Sequence, residues 1–183
     1  MKILVKFTIL SFCLTMLVAC ATSKPLTMAY STQSLPRGNS DMNAETFRYL
    51  PDNKALLPNQ IENTAMGSIL LDKDVSEYVK HAFLLELERS GYFSLKPKTI
   101  LNCDIMRFKC DDLGHSVDWY LDMTCHFIDY SSKKEVATGS ANIAKMGLQK
   151  FGGLENFQRG LNSVIFEAYE KIISSPEAKQ FLR

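Results

Sequence analysis

The sequence has no excess of charge of either sign. Its 183 residues include 21 Lys and Arg against 20 Asp and Glu, a formal net charge of +1. Two of the 21 basic residues, Lys2 and Lys6, lie in the first twenty positions, which leaves 19 basic against 20 acidic residues in the rest of the chain. Nucleic-acid-binding proteins normally carry a basic stripe or patch. The composition therefore argues against nucleic acid as a partner.

Histidine is scarce, and recognisable catalytic motifs are absent. Of the three histidines, His81 and His115 have no nucleophile and acid at a familiar spacing. His126 follows Cys125 directly on a predicted strand, so the two side chains point to opposite faces and do not form a metal site. Neither G-x-G-x-x-G nor the P-loop pattern occurs. We expect no metal, no cofactor and no enzymatic activity.

The first twenty residues, MKILVKFTILSFCLTMLVAC, have the form of a secretory signal. A basic start precedes an apolar run of about twelve residues, which is shorter than the roughly 20 needed to span a bilayer. Leu17-Val18-Ala19-Cys20 resembles the lipobox of bacterial lipoproteins. That resemblance implies that residues 1–20 are a lipoprotein signal peptide and that Cys20 becomes the lipidated N-terminus.

A lipidated Cys20 implies that the protein is localised at a membrane. Several acyl chains on one cysteine give stable membrane attachment, whereas one chain does not. Residue 21 is Ala rather than the Asp that resembles an inner-membrane retention signal. We therefore expect the protein to be lipid-anchored at the periplasmic face of the outer membrane.

The rest of the chain divides by composition. Residues 21–62 are rich in Thr, Ser, Asn and Pro and predict a polar tether, with one short strand at Thr46–Leu50. Residues 63–183 must then form the folded domain. Its first elements are a short strand at 65–71 and a helix over 75–89. A capping box of Asp74 and Glu77 should start that helix, and Gly91 should end it.

Alternating apolar residues predict a β-meander. In the segment 101–110 the apolar phase changes between Ile105 and Met106, which indicates a bulge. The segment 117–127 alternates without interruption, and turn residues at 111–115 make the two a hairpin. A third strand should run over 136–145.

The last part of the chain predicts a helix over 154–173, with an apolar stripe that includes Leu154, Phe157, Leu161, Ile165 and Ile172. Together the elements predict an α+β fold. It is a two-layer sandwich in which a mainly antiparallel sheet of 3–5 strands carries two helices on one face.

Three cysteines lie in the predicted domain. If the hairpin is centred on Gly114, Cys103 falls opposite Cys125, close enough for a disulfide in an oxidising compartment. The bulge leaves the register uncertain by a residue or two, so pairing through Cys110 and buried reduced thiols both remain open.

The other face of the strand 117–127 is predicted to point outward and carries Asp118, Tyr120, Asp122, Thr124 and His126. Alternating charges are expected on any solvated strand. An exposed aromatic residue on such a face, here Tyr120, also marks a candidate partner surface. Both interpretations stay open at this point.

The order of elements resembles the YajG-like lipoproteins of Gram-negative bacteria. It is similar, more distantly, to the lipopolysaccharide-assembly lipoprotein LptE and to the auxiliary lipoproteins of envelope ABC transport systems. The resemblance lies in the helix from Asp74 to Tyr92, the meander, the helix from Leu161 to Ile172 and a Phe181-Leu182-Arg183 tail. It implies a membrane-tethered, non-enzymatic binding or assembly module with an envelope protein or lipid as partner. The alternative is a secretion-apparatus or immunity-type lipoprotein with a dedicated protein partner.

Overall fold

The structure, a computed structural model, describes residues 25–64, 68–149 and 153–180. The proposed signal peptide and Cys20 lie outside the described residues. The elements in chain order are β1 (Met42–Tyr49), β2 (Gln60–Asn63), β3 (Ile69–Leu70), α1 (Val75–Ser90), β4 (Thr99–Asp111), β5 (Ser116–Asp129), β6 (Glu135–Gln149), α2 (Gly153–Ile173) and α3 (Pro176–Lys179).

The sheet formed by the described residues has six strands, one more than the largest number predicted, and it confirms the predicted α+β class. Strands β4, β5 and β6 form the antiparallel meander that the alternation predicted. The other edge of β4 is shared by two parallel neighbours, since β1 pairs along its first half and β2 pairs at Lys109 and Cys110. Strand β3 pairs with β2 and completes the sheet.

The β4–β5 hairpin has the predicted register and the predicted bulge. Cys103 lies opposite Cys125, Ile105 opposite Met123, and Arg107 opposite Asp122. Met106 is therefore the additional residue, and it is partly exposed. After the bulge the apolar residues of β4 return to the same buried face, as the change of phase requires.

Both long helices pack on one face of the sheet and run side by side. The Tyr78 hydroxyl of α1 donates to Oδ1 of Asn162 in α2 at 2.9 Å. The Phe157 ring lies 4.7 Å from that of Trp119, centroid to centroid. The predicted stripe of α2 is buried at Leu161, Ile165 and Ile172, together with the odd-numbered side chains of β5. Leu154 departs from the prediction, because it lies at the start of α2 and is 49% exposed.

The ends of α1 follow the prediction only in part. Gly91 ends the helix in the left-handed conformation, with φ of 83°. A Cβ there would lie 2.2 Å from the Gly38 carbonyl oxygen, so only glycine fits. The predicted capping box is wrong, because the Asp74 side chain makes no cap hydrogen bond. The Val75 N–H donates instead to the Pro58 carbonyl, which satisfies a helix-start donor from the preceding loop.

The prediction of a polar tether over 21–62 is wrong for the described part, from Pro25 onward. Strand β1 begins at Met42, four residues before the predicted short strand, and pairs along β4. Its Met42, Ala44 and Phe47 are buried in the core. The segment before β1 lies across the helices. A polar composition misled the prediction because hydrogen bonds hold much of this segment, with only a few apolar contacts such as that of the buried Met28.

Candidate functional site

The even-numbered side chains of β5 form the face of the sheet that the two long helices leave uncovered. We call this the outer face. Asp118, Tyr120, Asp122, Thr124 and His126 all lie on it and are half-buried, while the residues between them are buried under the helices. The structure therefore brings together all the residues that the sequence predicted for this surface.

Charged side chains on the outer face form pairs across neighbouring strands. Arg48 of β1 makes two 2.6 Å hydrogen bonds to the Asp104 carboxylate of β4. Arg107 of β4 lies 3.7 Å from the Asp122 carboxylate. The Asp118 carboxylate accepts the Gly147 N–H at 2.7 Å. Exposed pairs of this kind contribute little to stability, so they order the face more than they stabilise the fold.

Tyr120 lies at the centre of a mixed cluster on this face. The Arg107 guanidinium stacks 4.3 Å from the centroid of its ring. Its hydroxyl contacts the Met146 sulfur at 3.5 Å, and Met146 itself is 62% exposed. Tyr, Arg and Met are the residue types enriched at the cores of protein interfaces. The sequence did not reveal the role of Arg107, whose outward direction depends on the bulge at Met106.

His126 lines a shallow depression of about 330 Å³ toward the other end of the outer face. Its Nδ1 lies 3.0 Å from the Glu135 carboxylate. Hydrogen bonding from Thr138, with the nearby His126, lowers the pKa of Glu135 below its usual value. The remaining lining residues include Thr46, Arg48, Asn102, Asp104 and Ile128.

The charged groups of this depression are already paired with one another. Asp104 pairs with Arg48, and Glu135 pairs with His126. Within residues 25–64, 68–149 and 153–180 no group of three or more His, Cys, Asp or Glu could hold a metal ion. The outer face presents a wide polar surface with one aromatic cluster, which suits binding a macromolecule.

A second feature, absent from the sequence predictions, lies on the helix layer. Residues 25–41, which we call the strap, run across α1 and α2 in the same direction as both helices. Glu86 of α1 is fully buried beneath the strap. Its carboxylate accepts the Tyr30 hydroxyl at 2.7 Å and the N–H groups of Gln33 and Ser34 at 2.9 Å each.

Further contacts hold the strap along its length. The Asn162 side chain donates to the Ala29 carbonyl, and Arg37 forms a 2.7 Å ion pair with Glu170. Burial and the Glu86 carboxylate raise the pKa of Tyr30, so this hydroxyl stays protonated as a donor. The signal available in the sequence was the position of Glu86 on the apolar stripe of α1, because a buried carboxylate requires hydrogen-bond donors.

Cys103 and Cys125 are joined by a disulfide beneath the outer face, with Cα atoms 4.0 Å apart. Both are buried. Cys110, the alternative considered from the sequence, lies opposite Trp119 in the register and is also buried.

Reduction of this disulfide should lower the free energy of unfolding by about 3 kcal/mol, the value typical for a loop of this size. Urea unfolding with and without dithiothreitol measures the difference. A Cys103→Ser/Cys125→Ser variant should show no effect of the reductant. The protein can also be denatured in urea without reductant and assayed for free thiols. Reaction of both Cys103 and Cys125 in that assay would contradict the prediction.

No known family model matches this sequence, and no curated protein matches it either. Among solved structures, protein XCC0632 from Xanthomonas campestris, of family DUF330, superposes with a TM-score of 0.63 at 12% identity. The match covers 86% of this chain and 98% of that one. Hypothetical protein CT253 from Chlamydia trachomatis superposes with a TM-score of 0.50 at 10% identity, over 76% of this chain and 96% of its own.

Bacterial lipoproteins also occur among the similar structures. Lipoprotein GNA1162 from Neisseria meningitidis has a TM-score of 0.37 at 8% identity, over 70% of this chain and 96% of its own. YajG-like proteins and LptE are not named among these structures. Likenesses of this size concern the fold alone, which this chain shares with other bacterial proteins. No helix among the described residues is long and apolar enough to cross a membrane.

Proposed function

We propose that this protein is a lipoprotein of the bacterial cell envelope, anchored through Cys20 at the periplasmic face of the outer membrane. It acts there as a non-enzymatic module that binds a protein partner through its outer face. The lipobox-like Leu17–Cys20 sequence supports the anchor. The disulfide between Cys103 and Cys125 supports an oxidising compartment such as the periplasm.

The observation that carries the binding role is the cluster of Tyr120, Arg107 and Met146 on a sheet face that none of the described helices covers. Aromatic and Arg side chains dominate the binding energy of protein interfaces, and flexible Met side chains adapt to a partner. A protein partner is favoured over a small molecule because the face is broad and its depression is shallow.

Tyr120→Ala should weaken partner binding strongly while leaving the fold intact, because Tyr120 lies on the outer face and outside the buried core. The measurement is photo-crosslinking in living cells, with a photoreactive amino acid at position 124 on the outer face. A discrete adduct is expected in the wild-type protein. Tyr120→Ala should reduce the yield of this adduct at least about tenfold, which corresponds to a contribution of roughly 1.4 kcal/mol by the Tyr120 side chain to the binding free energy.

Tyr130→Ala is the matched control. Tyr130 is also partly exposed and carries a cation over its ring, with the Lys133 Nζ 3.7 Å from the centroid, but it lies in the β5–β6 turn. The adduct should persist in this variant. If position 124 gives no adduct, or if Tyr120→Ala and Tyr130→Ala behave alike, the outer face is not the partner site.

A further inference from the structure

We propose that one end of the domain is a bilayer-contacting surface, held against the lipid headgroups by a very short connection to the anchor. This surface, the anchor end, is defined by three exposed apolar side chains: Leu57, Leu113 and Leu154. The inference rests on the proposed lipidation of Cys20 and adds the orientation of the domain on the membrane.

The described part of the chain starts at the anchor end. The Leu26 N–H donates to the Leu70 carbonyl at 2.7 Å, and the Asp72 N–H donates to the Leu26 carbonyl at 3.1 Å. These contacts place Leu26 immediately before the first turn of α1. From there the strap runs toward the C-terminal end of α1, where the Arg37 N–H donates to the Ser90 carbonyl.

The distance from Cys20 to Pro25 is five residue steps. At no more than about 3.6 Å per residue, the connection reaches at most about 18 Å. The headgroup region takes roughly 5–7 Å of this length, because each leaflet extends that far beyond the hydrocarbon core. The anchor end must therefore lie within roughly 12 Å of the headgroup surface. A free tether of 42 residues would instead have allowed about 36 Å on average.

The other apolar residues of the anchor end are placed there by the fold. Leu154 lies in the first turn of α2, and Leu113 lies at the tip of the β4–β5 hairpin. The contact between Phe157 and Trp119 brings those two elements together. Leu57 belongs to the loop whose Pro58 carbonyl caps the start of α1. Single exposed leucines are ordinary on a surface, but these share the end from which the anchor emerges.

The charges beside the chain exit do not favour anionic lipids. Asp72, Lys73 and Asp74 are all exposed there, giving one negative charge in excess. Contact is therefore driven by the short connection and by apolar side chains, and it should not depend on salt. Because β5 runs from the anchor end toward the opposite end of the sheet, the outer face stands upright on the membrane and meets a partner from the side.

The test uses the full-length, lipidated protein in phosphatidylethanolamine vesicles that contain lipids brominated on their acyl chains. A tryptophan introduced by Leu113→Trp reports the anchor end, and Leu95→Trp reports an exposed position after α1, at its far end. The sole native tryptophan, Trp119, is buried and is subtracted as background. Leu113→Trp should be quenched at least about twofold more than Leu95→Trp, as expected for a side chain at the headgroup boundary.

A variant with about twenty Gly and Ser residues inserted between Lys24 and Pro25 tests whether the short connection causes the membrane contact. The insert lengthens the connection to roughly 25 Å on average, so the quenching should fall while the protein still floats with the vesicles. If the tryptophan at position 113 is quenched equally in this variant, the short connection is not what holds the anchor end at the bilayer.

Equal, weak quenching at both positions in vesicle-bound protein would overturn the inference while leaving the anchor intact. Cys20→Ser protein should remain unbound to vesicles. Binding of this variant as tight as wild type would instead contradict the proposed anchor, so the two failures are distinguishable.

Discussion

Glu86→Ala should lower the free energy of unfolding by about 3 kcal/mol and release the strap from the helices. The substitution leaves the Tyr30 hydroxyl and the N–H groups of Gln33 and Ser34 without their acceptor. Each buried donor left unsatisfied costs about 1–3 kcal/mol, and water admitted to the opened site recovers part of that cost. Urea unfolding measures the loss, and faster trypsin cleavage at Arg37 reports the released strap.

Two variants on the same helix control for this effect. Glu88→Ala removes an exposed carboxylate two residues away and should change stability by under about 0.5 kcal/mol. Glu86→Gln keeps the volume but only one acceptor oxygen, so its stability should fall between wild type and Glu86→Ala. If Glu86→Ala were as stable as Glu88→Ala, the strap would contribute nothing to the fold.

Leu161→Ala should destabilise the domain by about 2–5 kcal/mol, a large part of the stability of a protein this size. Leu161 is fully buried in the central part of α2. The substitution removes apolar contacts and leaves a cavity that the neighbouring side chains fill only in part. Thermal unfolding followed by circular dichroism should show a melting temperature lower by several degrees.

Leu154→Ala is the matched control for this cavity. The apolar pattern placed Leu154 on the same stripe of α2, yet it is 49% exposed at the start of the helix. Its truncation should change stability in solution by under about 0.5 kcal/mol. Equal melting temperatures for Leu161→Ala and Leu154→Ala would show that the centre of α2 does not carry the core.

The strap also bears on the proposed anchoring of the domain. Glu86 binds the strap, and the strap keeps the connection between the proposed anchor and the fold short. Release of the whole strap, residues 25–41, would add 17 residues of free chain and so lengthen the reach of the domain from the proposed anchor. If the proposed anchor and orientation hold, the Glu86 contacts help to keep the domain close to the bilayer.

Periodicity in the sequence was sufficient to predict most of the regular structure. The strict alternation from Val117 to Phe127 predicted β5 with the correct buried face, and the change of phase at Ile105 predicted the bulge. The glycine at position 91 predicted the end of α1. These signals are local, because the chain alternates or repeats along one element and needs no knowledge of distant partners.

Tertiary structure alone decided what the segment before α1 does. Strand β1 pairs in parallel with β4 across more than fifty residues of chain, and Glu86 meets Tyr30 over 56 positions. A local sequence period does not predict such contacts. A single buried carboxylate can bind a polar segment whose own sequence has no apolar stripe. The sequence also did not decide which cysteines pair, because a bulge shifts the strand register by one residue and so changes which cysteines face each other. Local patterns therefore determined the elements and their faces, while long-range hydrogen bonds decided how closely the folded chain follows the proposed anchor.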